Sequence, residues 1–159
     1  MIYAFIGFLF LTFNIAHSFE YIRTVNGKRN IITSYEISKT ERFINFVLDG
    51  TFTDNLGNYG YSDNNASVLL KNNEVVRLEG FGKSTYQNNE VYFARGIRNQ
   101  QEQNSGVGTN EVIGVTGSLK ELIGMKCTYA IKFFENYFFW MQKCNITERQ
   151  KKLLSNLTK

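Results

Sequence analysis

The sequence predicts an all-β fold: a single antiparallel β-barrel of about eight strands with a short C-terminal helix. Short runs of alternating apolar and polar residues predict the strands, and the asparagine and glycine turns between these runs predict antiparallel pairing. Closure is predicted because eight or so strands without covering helices would leave exposed edges, which a barrel removes. A two-sheet sandwich is the alternative. With 159 residues, the chain has room for one domain.

The first element is a predicted signal peptide, residues 1–18, followed by the barrel domain, 19–159. No side chain from Met1 to Ala16 is charged, and this apolar run is shorter than the roughly 20 residues that a membrane span needs. Ala16 and Ser18 supply small residues at the two positions that a signal peptidase reads. A buried first strand or an uncleaved anchor is the alternative. We expect cleavage after Ser18, export to the periplasm or out of the cell, and no membrane span in the mature chain.

Cleavage at this position would leave a chain without histidine, since His17 is the only one. That outcome excludes Ser-His-Asp and Cys-His nucleophilic sites, the HExxH zinc site and any histidine general base. The net charge of +4 is modest and the basic residues are scattered, whereas a nucleic-acid-binding face carries a dense basic stripe. We therefore expect no nucleic-acid partner, no metal and no cofactor.

Candidate strands follow along the rest of the chain, at 19–24, 30–37, 41–53, 59–70, 75–86, 90–98, 110–117, 124–134 and 137–145. Asn26-Gly27 predicts a tight hairpin turn of type I′. Asn72-Asn73 and Asn88-Asn89 are near-copies of one turn, and asparagine tolerates the left-handed backbone angles that such turns need. The spacing of these turns predicts a meander.

Two further features are predicted in the C-terminal part of the chain. Residues 99–110 are polar and contain two glycines, so they are predicted to form a long mobile loop. Thr147 and Gln150 have the spacing of a capping box, which predicts a helix that begins there and packs against the outside or one end of the sheet. The apolar stripe of that helix consists of Leu153, Leu154 and Leu157.

The only two cysteines, Cys127 and Cys144, flank an aromatic run. A tight turn at Glu135-Asn136 places them opposite each other in a hairpin over 124–145, at a position where Cα atoms lie about 4.5 Å apart. A disulfide is therefore predicted across the hairpin; a redox or metal-binding thiol pair is the alternative, but neither a CxxC motif nor a third ligand is present. The face shared with the cysteines holds Tyr129, Ile131, Phe133, Phe138, Trp140 and Gln142.

Candidate ligand-binding residues lie on this face and on one other strand. Tyr129, Trp140 and Gln142 could form the floor of a pocket, because tyrosine and tryptophan combine an apolar body with one polar group. Arg95 shares a strand face with apolar residues, so an inward orientation would require a carboxylate partner, for which Glu79 is the candidate, or an acidic ligand. The alternatives are an ordinary core for the first three and a solvent-facing or structurally paired Arg95.

A polar turn near residue 57 offers a further possible site. Asp54, Asn55, Asn58 and Asp63 surround this glycine-rich turn, and their oxygen atoms could bind calcium. The spacing does not match the twelve-residue calcium-binding loop, because Leu56 occupies its third position. An ordinary polar turn is the favoured interpretation.

Three segments resemble the allene oxide cyclase and dirigent barrel superfamily. Residues 49–60 (DGTFTDNLGNYG) resemble an early barrel strand and its glycine-rich turn, 106–108 resemble a strand start after a long loop, and 116–124 (TGSLKELIG) resemble the turn before the last strands. Val115 and Leu119 depart from that last motif. The chain is also similar to small exported barrel proteins of unknown role in AT-rich marine bacteria. The resemblance implies an eight-stranded antiparallel barrel and assigns no catalytic residue.

The leading functional hypothesis is an exported barrel that binds a small, mainly apolar or aromatic ligand without catalysis. A cyclase-like or isomerase-like enzyme is the second hypothesis, and it requires an inward polar cluster such as Arg95 with Glu79. The third is a structural barrel with a filled core and an exposed aromatic patch that includes Tyr59, Tyr61 and Phe139. The interior of the barrel distinguishes the three.

Overall fold

The computed structural model describes residues 18–157, without the side chains of 100 and 101. Its strands are β1 (Ser18–Glu36), β2 (Glu41–Asp54), β3 (Tyr59–Lys71), β4 (Glu74–Tyr86), β5 (Val91–Glu102), β6 (Ser105–Val115), β7 (Lys126–Phe134) and β8 (Tyr137–Thr147). A 3₁₀ helix (Leu119–Leu122) separates β6 from β7, and α1 (Glu148–Ser155) follows β8.

The eight strands close into one antiparallel barrel, which confirms the predicted fold. Each strand pairs with its neighbour in the sequence, and β8 returns to pair with β1, where Val25 lies opposite Trp140. Closure pairs both long edges of the sheet, which would otherwise be open to other chains. The inward side chains alternate with outward ones along each strand, as the sequence pattern predicts; β7 alternates without exception.

The predicted hairpin turn at Asn26-Gly27 is wrong. Both residues lie inside β1, a continuous strand of 19 residues, where Gly27 is opposite Gly50 on one side and Phe138 on the other. A Cβ atom at Gly27 would lie 1.9 Å from the Asp49 carbonyl oxygen. This glycine therefore permits a close approach of β1 and β2, a role that the dipeptide alone does not reveal.

The predicted mobile loop over 99–110 is also wrong. β5 continues to Glu102 and β6 begins at Ser105, so only a tight turn separates them. Thr109 and Glu111 of β6 face outward, whereas Gly108 and Asn110 face inward. Gly108 lies beneath the Tyr129 ring, where a Cβ atom would lie 2.4 Å from Tyr129 Cζ. Glycine and polar residues therefore form part of a regular strand here. The Tyr129 ring of β7 fills the space above Gly108.

The other predicted turns are confirmed. Asn72 and Asn73 have φ angles of 51° and 64° between β3 and β4, and Asn89 has a φ of 66° between β4 and β5. Glu135 has a φ of 52° at the turn of the last hairpin. These left-handed angles suit asparagine, which bears them at low cost, and they set the register of each hairpin.

The C-terminal helix closes one end of the barrel. Its predicted capping box is present: Gln150 N donates to Thr147 Oγ1 at 3.2 Å, and Thr147 N donates to Gln150 Oε1 at 3.0 Å. Leu154 is fully buried. Asn58 Nδ2 donates to the carbonyl oxygen of Leu154 at 3.1 Å, so a side chain of the turn between β2 and β3 is bonded directly to the end of the helix.

The predicted signal peptide lies outside the described residues, except for Ser18 at the start of β1. It stays a prediction. Between residues 18 and 157, no helix combines the length and apolar character needed to cross a membrane.

Candidate ligand-binding cavity

A cavity of about 50 Å³ lies within the barrel and is partly open to the outside beside Phe81, which is exposed. On one side, the inward positions of β3, β4 and β5 carry small residues, namely Ala66, Gly80, Gly82, Ala94 and Gly96. On the opposite side, the inward positions of β7 and β8 carry Tyr129, Ile131, Phe133 and Trp140. The cavity exists because one wall lacks side chains that would reach the aromatic wall.

Tyr129 and Trp140 both line this cavity, as their positions in the sequence predict. Their ring centroids lie 4.8 Å apart, and Tyr129 is buried. Burial raises the pKa of the Tyr129 hydroxyl, while the nearby charge of Arg98 opposes that increase. Trp140 Nε1 is buried and has no hydrogen-bond partner among the described residues, so it is a donor that a bound molecule can satisfy.

Gln142 faces the interior as predicted, but its polar atoms are already used. Asn110 Nδ2 donates to Gln142 Oε1 at 2.8 Å, and Gln142 Nε2 lies 3.2 Å from Cys127 Sγ and 3.4 Å from Cys144 Sγ. The side chain therefore connects β6 to the cysteines of β7 and β8. Of this network, Asn110 and not Gln142 reaches the cavity surface.

The predicted disulfide between Cys127 and Cys144 is present. Their Cα atoms are 4.3 Å apart, and the pairing of Phe133 with Phe138 near the turn gives the predicted register. Both cysteines are almost fully buried. The bond joins β7 to β8 on the inner face of the barrel, where it acts as a structural cross-link.

Arg95 faces outward and is paired with Glu79, which is the alternative given for it, so its candidate role in an interior ligand site is wrong. Arg95 lies on the outer face of β5, its side chain is 44% exposed, and its Nη2 lies 2.7 Å from Glu79 Oε1. Glu79 also accepts from Arg77 Nη2 at 2.6 Å, and the two guanidinium groups lower the pKa of its carboxyl group. An enzyme that relies on Arg95 and Glu79 inside the barrel is thereby excluded.

The more apolar face of β5 points outward, because its cavity-lining face is poor in large side chains. Its inward residues are Tyr92, Ala94, Gly96 and Arg98, while its outward residues include Val91, Phe93 and Ile97. The more apolar face normally marks the core. A strand that borders a cavity reverses this pattern, because small residues leave the cavity open.

The buried arginine of β5 is Arg98, which the sequence analysis did not single out. It is 2% exposed and lines the cavity. Its Nη2 donates to the Gln103 carbonyl oxygen at 3.2 Å, whereas its Nε and Nη1 have no hydrogen-bond partner among the described residues. It forms no ion pair with a described carboxylate. Burial lowers the pKa of its guanidinium group.

A second, smaller cavity of about 20 Å³ adjoins the first at the end of the barrel away from α1. Arg98 lines both cavities, and so does the edge-to-face pair of Phe46 and Phe133, whose centroids lie 6.1 Å apart. Arg29 also lines the second cavity; its Nη2 donates to the Glu135 carbonyl oxygen at 3.1 Å, and its Nε has no described partner. The Arg29 guanidinium carbon lies 4.5 Å from the Phe133 ring centroid.

The other buried arginine, Arg23, lies at the α1 end and is held by the protein. Its Nη1 donates to the Tyr92 hydroxyl, its Nη2 donates to Ser84 Oγ at 2.8 Å, and its guanidinium carbon lies 3.9 Å from the Phe52 ring centroid. Only its Nε lacks a described partner. Arg23 is therefore a structural residue of the closed end of the barrel.

The polar turn near residue 57 is an ordinary polar turn, as favoured from the sequence. Asp54 Oδ1 accepts from the backbone N–H groups of Leu56 and Asn58 at 2.9 Å each, and Asp54 Oδ2 accepts from Tyr21 at 2.9 Å. Its carboxylate is thus occupied by protein donors. Among residues 18–157, no group of three or more His, Cys, Asp and Glu side chains is placed to hold a metal ion.

These features define the class of the protein: a closed eight-stranded barrel with small interior cavities. No family model matches the chain, and searches of curated proteins and of solved structures find no match. The resemblance to the allene oxide cyclase and dirigent barrel superfamily stays a prediction.

Proposed function

We propose that this protein is an exported barrel that binds a small, mainly apolar molecule in its interior and carries out no chemistry on it. The carrying observation is the cavity between the small residues of β4 and β5 and the aromatic wall of β7 and β8. Protein interiors are normally filled, and an unfilled void costs stability. Gly96 is instructive, because an added Cβ atom would meet nothing closer than 3.9 Å.

The size of the cavity limits the ligand. At about 50 Å³ it exceeds the roughly 10–15 Å³ that one water needs, but it is smaller than the roughly 150 Å³ known to bind benzene. A ligand with a ring or a short chain therefore displaces the Phe46–Phe133 pair and joins the two cavities. The shared lining of the two cavities makes these rings the natural partition.

Binding without catalysis is favoured by the lining of both cavities. Among the described residues, neither cavity is lined by a carboxylate, histidine, lysine or cysteine, the groups that serve most often as general bases and nucleophiles. The enzyme alternative relies on an internal carboxylate or arginine, and of these two the described lining of the cavities contains arginine alone.

Export is supported by the disulfide, since such bonds persist mainly in oxidising compartments. Intact-mass measurement of the protein recovered from its host tests this part of the proposal. The expected mass is that of a chain shortened by about 18 residues, as cleavage of a signal peptide after Ser18 requires. A full-length protein retained in the cytoplasm would contradict export.

Titration calorimetry with toluene and 1-hexanol, together with the shift in melting temperature that each causes, tests interior binding. Ala94→Leu places a larger side chain into the cavity and should abolish binding, whereas Phe93→Leu changes the outward neighbour on the same strand and should preserve it. Gly96→Ala is a milder second variant and should weaken binding. Absence of binding to the unmodified protein, or equal binding by all variants, would overturn the proposal.

A further inference from the structure

We propose that the ligand is a small monocarboxylate with an apolar body, and that Arg98, together with Arg29, binds its carboxylate group. This inference rests on the proposed interior binding and specifies the chemical class of the ligand. It assigns a binding role to two arginines on strands β5 and β1.

The buried side-chain polar atoms that lack a hydrogen-bond partner among the described residues are all nitrogen donors. The buried side-chain atoms without a partner among the described residues are Arg23 Nε, Arg29 Nε, Arg98 Nε, Arg98 Nη1 and Trp140 Nε1. Every one is a hydrogen-bond donor, and none is an acceptor. A molecule that satisfies this interior must therefore bring acceptor oxygens.

Arg98 shows that the missing acceptor is negatively charged. A guanidinium group keeps its charge even when buried, and a buried charge without a counter-ion is costly. At 2% exposure, Arg98 is shielded from solvent, yet its one hydrogen bond in the described structure is to the neutral Gln103 carbonyl. Arg23 is equally buried but has Tyr92, Ser84 and the Phe52 ring around it. The two arginines are equally buried, but they differ in how many of their N–H groups have a hydrogen-bond partner.

Arg29 adds a second positive charge beside the same small cavity. It is half-buried, and burial without a counter-ion lowers its pKa. Gln103 cannot supply the missing negative charge, because it is neutral and its side-chain oxygen already accepts from Arg42 Nη2 at 3.3 Å. At this end of the barrel, the one ion pair between a described carboxylate and an arginine joins the exposed Glu36 to Arg42 at 3.8 Å.

The two cavities match the two parts of such a ligand. The first is lined mainly by apolar and aromatic side chains, which suit an alkyl chain or a ring. The second, of about 20 Å³, has Arg29 and Arg98 in its wall and is large enough for a small planar group. A carboxylate fits the planar donors of a guanidinium group, and its single charge suits a site with one fully buried arginine. A phosphate or sulfate is bulkier and carries more charge.

The test compares two probes with the same tail, hexanoate and 1-hexanol, by titration calorimetry at neutral pH. The unmodified protein should bind hexanoate roughly tenfold or more tightly than 1-hexanol, the ratio that one charge-assisted hydrogen bond supplies. Arg98→Met should remove this preference, because it weakens hexanoate binding far more than 1-hexanol binding. Arg95→Met is the matched control, because the same residue type on the outer face of the same strand is replaced, and it should preserve the preference.

Arg29→Met is a second variant of the site, and it should weaken hexanoate binding more than 1-hexanol binding. Inorganic phosphate, tested alone, should bind poorly. Equal affinity for the two probes, or an unchanged preference in Arg98→Met, would overturn the carboxylate assignment while leaving interior binding in place. Failure of both probes to bind would overturn the proposed function and this inference together. Tight binding of phosphate would show that the site takes a different anion and would likewise overturn the assignment.

Discussion

Arg95 and Arg98 lie on the same strand and on opposite sides of the barrel wall. The Arg95 side chain is 44% exposed and paired with Glu79, whereas Arg98 is 2% exposed and forms no ion pair with a described residue. The exposed arginine thus has a carboxylate partner, whereas the buried arginine has none among the described residues. This inversion of the usual arrangement is the strongest sign that Arg98 serves binding and not stability.

Replacing Arg98 should therefore not destabilise the barrel. Arg98→Met removes a buried, uncompensated charge and keeps an unbranched side chain, so the free energy of unfolding should stay the same or rise by about 1 kcal/mol. Arg95→Met breaks an exposed, solvent-screened ion pair and should change the free energy of unfolding little. Urea denaturation measures both. A loss of several kcal/mol in Arg98→Met would show that the guanidinium group is structural.

The disulfide should contribute stability and leave ligand binding largely unaffected. Replacing both Cys127 and Cys144 by serine should lower the free energy of unfolding by roughly 2–4 kcal/mol, because the closed loop no longer restricts the unfolded chain. Serine hydroxyls can still accept from Gln142, which keeps the local network. Peptide mapping without reduction should recover the two segments linked. Two free thiols in exported protein, or a stable double variant without binding, would contradict the structural role.

Two inward glycines should respond in opposite ways to the same substitution. Gly27→Ala places a methyl group 1.9 Å from the Asp49 carbonyl oxygen, so β1 and β2 must separate, at a cost of about 1–3 kcal/mol. Gly96→Ala meets its nearest atom at 3.9 Å and should be neutral or slightly stabilising, since alanine is less flexible than glycine in the unfolded chain. Thermal unfolding of the two variants tests this contrast; equal effects would refute the packing argument.

Asp49 and Asp63 lie directly opposite each other on β2 and β3. The pKa of Asp49 is raised, first by its hydrogen bond with the Asp63 carboxyl group and further by burial and the Asp63 charge. A raised pKa in the folded state stabilises the fold at low pH, and this contribution is lost as the pH rises through that pKa. Asp63→Asn should therefore increase stability at neutral pH, by about 0.2–1 kcal/mol for like charges placed opposite each other.

The same variant should show a smaller advantage at acidic pH, where protonation of the Asp49 carboxyl group removes the repulsion. Urea denaturation at neutral and acidic pH measures the difference, and Asp49→Asn is the matched control that removes the other member of the pair. A stabilisation that is constant with pH would show that charge repulsion is not its cause.

Local patterns predicted the barrel well where a turn fixed the register. The turn at Glu135-Asn136 determines every pairing of the last hairpin, so the disulfide and the inward positions of Tyr129 and Trp140 follow from counting. The capping box at Thr147 is equally local. In each case, the interaction is between residues close in sequence, so the local pattern is enough to predict it.

Features that depend on distant strands were not accessible from local patterns. Asn26-Gly27 has the composition of a turn, but the backbone of β2 at Asp49 determines that Gly27 belongs to a strand. The face of β5 with Gly96 and Arg98 is less apolar than its opposite, because a cavity and not a packed core lies beneath it. An arginine alternating with glycine and alanine, set against a more apolar opposite face, is the signal that could have identified Arg98.

The central claim is that a small molecule binds inside the barrel, and methyl NMR during titration with 1-hexanol or hexanoate tests it most directly. Leu78 and Ile131 line the cavity, whereas Ile113 and Met141 are exposed on the outer face. We expect saturable shifts and ligand contacts at the methyl groups of Leu78 and Ile131, with Ile113 and Met141 unchanged. Shifts confined to the outer methyl groups, or no saturable shift at any of the four, would contradict the account.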